Sequence, residues 1–201
     1  MKRNRTQKQL KTSSGMSDRK SYVIEFEKPS FSSSEMRDLI AMVDADSQRA
    51  NLISTKDEEA ASRLRRSRVV WLAKQDHPKL YKTISNIARE ANSIYDYDIK
   101  AFHGPLQVAV YDASDEGFFD WHTDTVPSDM SRKISISIPL NRESDYDGGD
   151  FEIREGNVER KVPQVAGFPL AFPSWLPHRV TPLISGRRYS MVAWILGPYW
   201  R

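Results

Sequence analysis

Apolar residues recur at helical spacing in two early stretches of the chain, then give way to short alternating segments. Met36, Leu39, Ile40 and Val43 form the first stripe. Ser32 and Glu35 make a capping box ahead of it, with Phe31 and Met36 in the flanking staple positions, so a helix is predicted to start there. Pro78 suits the first position of a second helix, whose stripe is Leu80, Ile84, Ile87, Ala88 and Ala91. Each stripe covers one side only, which places both helices against a sheet. Tyr22 to Phe26 reads as a short strand ended by Pro29.

From about residue 102 the texture becomes β-type. Segments 106–111, 118–122, 134–140, 151–153, 170–172, 178–180 and 189–196 are separated by turn residues, the spacing of an all-β sandwich or barrel. Ile134, Ile136 and Ile138 alternate with Ser135 and Ser137. The isoleucine face is predicted to pack on the helices and the serine face to line an inner cavity. Gly148-Gly149 marks a tight bend or a close backbone approach. Polar loops fall near 112–117, 125–133 and 142–147, and no internal repeat is present. The expected architecture is a mainly β fold with flanking helices. It forms one domain over 21–201, with helical support at about 21–98 and a β-core at about 99–201.

Composition narrows the classes. A chain of 201 residues suits one domain with a full core. Its lack of cysteine removes disulfides and thiolate metal sites. No apolar run approaches the roughly 20 residues that cross a bilayer, so no membrane partner is expected. The first twenty residues lack the apolar stretch of a secretory signal, which fits a cytoplasmic location. The net charge of +3 is unevenly placed: residues 1–20 carry seven basic side chains against Asp18 alone, so the remainder is acidic by −3. That basic tail, expected to be disordered, could touch nucleic acid, but a solvated end is the better reading. The second basic cluster, Arg63, Arg65, Arg66 and Arg68, is explained as well by a helix end or strand entry as by a ligand.

Candidate chemistry centres on few residues, because the chain has only four histidines: His77, His103, His122 and His178. His122-Thr123-Asp124 places an imidazole and a carboxylate two apart, on one side of extended backbone. Alone such a triplet is weak, since a strand histidine is often only hydrogen-bonded. Read jointly with His178 on a distant strand, it supplies two imidazoles and one carboxylate. That facial set holds non-heme Fe(II) and leaves open positions; Zn(II) would accept the same ligands. Arg188 suits the distal carboxylate of a co-substrate, because a guanidinium fork matches a carboxylate in two bonds. Ser190 shares its strand face, and Arg187 faces the opposite way as a surface residue.

The segments LQVAVYDASDEGFFDWHTD, DYDGGDFEI, AFPSWLPHRVTP and GRRYSMVAWILGP resemble the 2-oxoglutarate- and Fe(II)-dependent oxygenases, within them the prolyl 4-hydroxylase catalytic-domain type. The likeness is densest from Leu106 to Arg201 and fades back to about residue 21. It implies a double-stranded β-helix, or jelly roll, with Fe(2+) on His122, Asp124 and His178. It further implies that Arg188 binds the C5 carboxylate of 2-oxoglutarate, with Ser190 beside it and Tyr111 near the co-substrate. The implied activity is hydroxylation of an unactivated C–H bond in a prolyl residue, an amino acid or a similar substrate, small molecule or peptide. It consumes O2 and releases succinate and CO2, with L-ascorbate as a candidate reductant. One departure stands out: where many such domains carry tyrosine or glutamine near a strand end, this chain has Pro139, which donates no hydrogen bond.

Trp121, Trp175, Tyr146, His103, Gln107 and Arg179 are candidates for the substrate mouth, and each is equally explicable as packing or rim. Trp194 reads as core, and the loop Pro127–Lys133 as a lid. The competing functions are oxidative modification of nucleic acid, supported only by the basic tail, and a non-catalytic binding module on the same barrel. Intact ligands and arginine weigh against the second.

Overall fold

The computed structural model describes residues 21–46, 63–102, 104–125 and 130–200, so the basic tail and His103 lie outside the described residues. The first helix, α1, spans Ser33–Asp46. Its capping box forms as expected. The Ser32 amide and hydroxyl donate to Glu35 Oε2 at 2.8 and 2.7 Å, and the Glu35 amide donates back to Ser32 Oγ at 3.3 Å. These bonds satisfy amides that the first turn would otherwise leave orphaned. Phe31 and Met36 are both buried beside it. The second helix, α2, runs Pro78–Tyr95 and begins on the expected proline.

Strands build two antiparallel sheets. The larger has the order β1 (Ile24–Glu25), β11 (Leu170–Pro173), β7 (Arg132–Pro139), β13 (Leu183–Leu196), β5 (Leu106–Asp112), β3 (Arg68–Leu72). Two short strands, β4 (Ala101–Phe102) and β8 (Tyr146–Gly148), also pair with β13. The smaller sheet runs β10 (Val158–Lys161), β9 (Phe151–Glu155), β12 (His178–Val180), β6 (Phe118–His122), β2 (Arg65–Arg66). Two facing antiparallel sheets, with helices covering the outer face of one, make a jelly roll.

Alternation along β7 decides what goes where. Ile134, Ile136 and Ile138 are fully buried in one cluster with Val43 of α1 and Ile84 of α2. Each such isoleucine contributes roughly 1.5–3 kcal/mol relative to exposure. Ser135 and Ser137 turn the other way, into the space between the sheets. A second cluster, including Tyr111, Tyr146, Phe151, Ile153 and Phe172, fills much of that space. Tyr81, absent from the expected stripe, donates from its hydroxyl to Leu72 O and accepts from the Leu106 amide, fastening α2 to the sheet.

Several boundaries differ from the sequence pattern. The strand read at Tyr22–Phe26 shrinks to Ile24–Glu25, and the final strand begins at Leu183 rather than Tyr189. The stretch Ile184–Arg187 is exposed throughout, Ile184 included, so it carries no alternation even though its backbone is paired. β10, β2 and β4 were missed because edge strands expose both faces. The segment before residue 98 supplies β1, β2 and β3 as well as helices, and the basic cluster spans a helix end at Arg63 and strand entry at Arg65, Arg66 and Arg68. The expected lid loses its end: Arg132 and Lys133 belong to β7, and residues 126–129 lie outside the described residues.

Candidate metal centre

Antiparallel pairing of β6 and β12 sets His122 directly opposite His178. Their rings lie 4.2 Å apart, centroid to centroid. The strand ends at His122, so Asp124 is not placed by extended backbone as the two-residue spacing suggested. Instead Ser174 O accepts the amides of both Asp124 (2.9 Å) and Thr125 (3.0 Å), turning the Asp124 side chain inward. Nε2 of His122 and of His178 then stand 3.9 and 3.6 Å from the Asp124 carboxylate oxygens. One ligand atom from each residue lies within 4.8 Å of the others.

The hydrogen bonds orient these groups. Nδ1–H of His122 donates to Asp120 O at 2.7 Å, and Nδ1–H of His178 donates to Leu176 O at 3.0 Å. That choice of tautomer leaves a bare Nε2 lone pair on each ring facing the carboxylate, the state a metal ligand needs. Phe119 stacks on His122 at 3.4 Å and fixes its plane. Ser135 Oγ donates to Asp124 Oδ2 at 2.6 Å and lies 3.0 Å from Ser174 Oγ.

The charge states suit the same task. Burial, then the neighbouring His178, lowers the His122 pKa to about 3, with Asp124 opposing. Burial works to raise Asp124. The imidazoles of His178 and His122, the Ser135 hydroxyl and the Trp194 indole outweigh it and hold the carboxyl below its ordinary value. Trp194, read from the sequence as core, therefore belongs to the site, where it lines the same cavity. Two imidazoles and a carboxylate converging within one small cavity fit a divalent metal by the chemistry of the donor set.

The cavity, of about 50 Å³, also takes in Arg188, Tyr111, Ser190, Ser137, Gln107 and Arg65. Arg188 is 2% exposed and forms no ion pair among the described residues. Its Nη2 donates to Gln164 Oε1 at 2.9 Å, while its Nε is buried without a partner. Tyr111 is its register partner across β5 and β13 and lies 5.4 Å beneath the guanidinium. Ser190 Oγ lies 3.0 Å from Ser137 Oγ, opposite Pro139. Arg187 points out to Asp112 as expected. An unpaired buried guanidinium is costly unless an anion comes to it.

Sequence reasoning missed Gln164 and Arg65. Gln164 sits in a stretch with no period, and Arg65 was lost in a basic cluster. The mouth candidates separate. Gln107 lines the cavity, Trp121 is held between Arg154 and Arg179, and Arg179 is paired with Glu152. Trp175 packs edge-on against Tyr22, away from the cavity lining. A larger open groove of about 850 Å³ lies between α2 and β4, and among the described residues no metal-type cluster lines it.

Residues 106–196 match the family model described as the 2OG-Fe(II) oxygenase superfamily. A PKHD-type hydroxylase of Alteromonas mediterranea is 35% identical over 69 residues, 34% of this chain and 30% of that protein. One from a Psychrobacter species is 35% identical over 66 residues, 33% and 26% respectively. The aligned part thus spans less than a third of these curated relatives. Among solved structures, a Pseudomonas putida prolyl-4-hydroxylase superposes with a TM-score of 0.70 at 22% identity, covering 88% of this chain and 92% of that one. A viral collagen prolyl hydroxylase of Paramecium Bursaria Chlorella virus-1, solved as a 2OG complex, gives 0.64 at 18%, covering 89% and 97%. These structures share the jelly-roll fold.

Proposed function

We propose that this chain, whose β-core belongs to the 2OG-Fe(II) oxygenase superfamily, is a dioxygenase that hydroxylates an unactivated C–H bond. His122, Asp124 and His178 would hold Fe(II), and Arg188 the distal carboxylate of 2-oxoglutarate. With O2, the bound metal and co-substrate supply the oxidising power for hydroxylation, as 2-oxoglutarate is split to succinate and CO2. The chain's own part is positional. His122 and His178 present bare Nε2 atoms, Ser135 steadies the Asp124 carboxylate, and Tyr111 and Gln164 hold the guanidinium flat. Burial of all these groups keeps water out and strengthens each electrostatic contact.

One observation carries this reading: the metal-type triad and an unpaired, buried arginine share a single cavity. A hydrolytic zinc site gives no use for that arginine. The substrate is best sought among prolyl residues, amino acids and similar small molecules, in keeping with the hydroxylase names of the relatives. Modification of nucleic acid gains little from the surface, because Arg66, Arg154 and Arg179 are matched with Glu116, Glu159 and Glu152. Anaerobic titration with Fe(II) and 2-oxoglutarate tests the proposal. A visible charge-transfer band that needs both components is expected, and its absence removes the assignment.

A further inference from the structure

One cation lining the cavity is still unassigned. Arg65 on β2 pairs in register with Phe119 of β6, and both side chains face inward to line the cavity. The guanidinium lies 4.6 Å from the Phe119 ring centroid, and Phe119 in turn stacks on His122. Nε of Arg65 donates to Ser67 Oγ, whereas Nη2 is buried with no acceptor. Arg66, the next residue, shows what a surface arginine does here: it lies over Phe118 and pairs with Glu116 at 2.6 Å. Arg65 has no such partner. Among the described residues the one acid lining its cavity is Asp124, which Ser135 holds and which faces both histidines.

The fold opens at the same place. β2 ends the smaller sheet and β3 the larger one, with Ser67 alone between them. Across the larger sheet Ser137, Val192, Gln107 and Trp71 stand in one row by register. The first three line the cavity, and exposure rises from 3% at Gln107 to 47% at Trp71. The cavity therefore meets solvent on the side where Arg65 stands. Tyr146, expected at the mouth, is instead buried in the inner cluster, away from that lining.

Charge balance points to an anion. Arg65 and Arg188 against Asp124, with neutral histidines, leave the lining at +1, and a divalent metal is cancelled by a dianionic co-substrate. Arg188 accounts for the distal carboxylate of that co-substrate, so Arg65 is left for a second, separate anion. A planar guanidinium held over an aromatic ring, with one donor nitrogen out of water, favours a carboxylate over a neutral amide.

We propose that Arg65 binds a carboxylate of the substrate to be hydroxylated, so that the site takes a terminal carboxylic acid rather than a residue inside a peptide chain. This rests on the function proposed above. The test measures binding under anaerobic conditions, on protein loaded with Fe(II) and 2-oxoglutarate, by the shift each probe causes in the visible band. The probes are the common amino acids, free and N-acetylated, each as its carboxylate and as its carboxamide. Free acids bound best identify amino acids as the source of the carboxylate; N-acetyl acids bound best identify the C-terminus of a peptide. In wild type the carboxylate is expected to bind about 10- to 100-fold more tightly than its carboxamide, the difference made by a hydrogen bond to a charged group. Arg65→Met is expected to abolish that preference and leave 2-oxoglutarate affinity unchanged. Carboxamides bound as tightly as acids, a preference that survives in Arg65→Met, or no response to any acid overturns the inference and leaves the function standing. Weaker 2-oxoglutarate binding by Arg65→Met also overturns it, because Arg65 would then serve the co-substrate. If wild type forms no band with Fe(II) and 2-oxoglutarate, the proposed function itself fails, and this inference with it. Should Arg65→Met not fold, Arg65→Gln with the same probes repeats the comparison.

Discussion

Ser135 Oγ donates to Asp124 Oδ2 at 2.6 Å, joining the inner face of β7 to the carboxylate just beyond β6. The bond fixes which carboxylate oxygen stays free to meet a metal. Partners of this kind, one step removed from the metal, typically change its affinity by about 10- to 100-fold when removed. Ser135→Ala is accordingly expected to weaken Fe(II) or Mn(II) binding by about that factor, measured by competition with a chelator. Unchanged affinity would show that the hydroxyl serves packing alone.

His178→Ala should remove one of three ligands and reduce succinate production to background. The same variant should lose the visible band on anaerobic titration. Turnover at the wild-type rate would take His178 out of the centre.

Arg188→Lys keeps the charge and loses the planar fork that Gln164 and Tyr111 hold in place. About 10- to 100-fold weaker 2-oxoglutarate binding is expected, with metal affinity little altered. Normal co-substrate affinity would place the carboxylate elsewhere.

Acid should weaken the metal-free fold through His122. Its folded pKa, near 3, lies below the ordinary 6.5, because burial and His178 disfavour the charged ring. Between those values the unfolded chain binds a proton that the folded site excludes, so stability falls as pH drops. The contribution is complete above about pH 6.5 and is lost progressively toward pH 3. Thermal melts of His122→Gln should show a shallower decline over this window than wild type; identical slopes would assign the acid sensitivity to other groups.

Ile136 is fully buried between β7 and the helices. Ile136→Ala should cost about 2–5 kcal/mol in denaturant unfolding. A loss below 1 kcal/mol would mean that the outer layer closes readily over the gap.

Local pattern carried much of the architecture. The Ser32–Glu35 box, Pro78 and the Ile–Ser alternation of β7 each act within a few residues, and so announced both helices and the two faces of the central strand. The candidate ligands were legible for a different reason: with four histidines in the chain, few combinations exist, and His122, Asp124, His178 and Arg188 do meet in one cavity. Exposed strands were not legible, since β10 and residues 184–187 have no buried face to set a period.

What the residue order alone determined was therefore periodic or rare: amphipathic helices, an alternating sheet and a handful of metal-type side chains. Tertiary structure alone decided the rest. It turned Asp124 inward through the carbonyl of Ser174, brought Gln164 against Arg188 from 24 positions away, and made Trp194 a neighbour of the carboxylate. The physical reason is that hydrogen bonds between remote residues depend on how the two sheets close, and neither spacing nor composition encodes that distance.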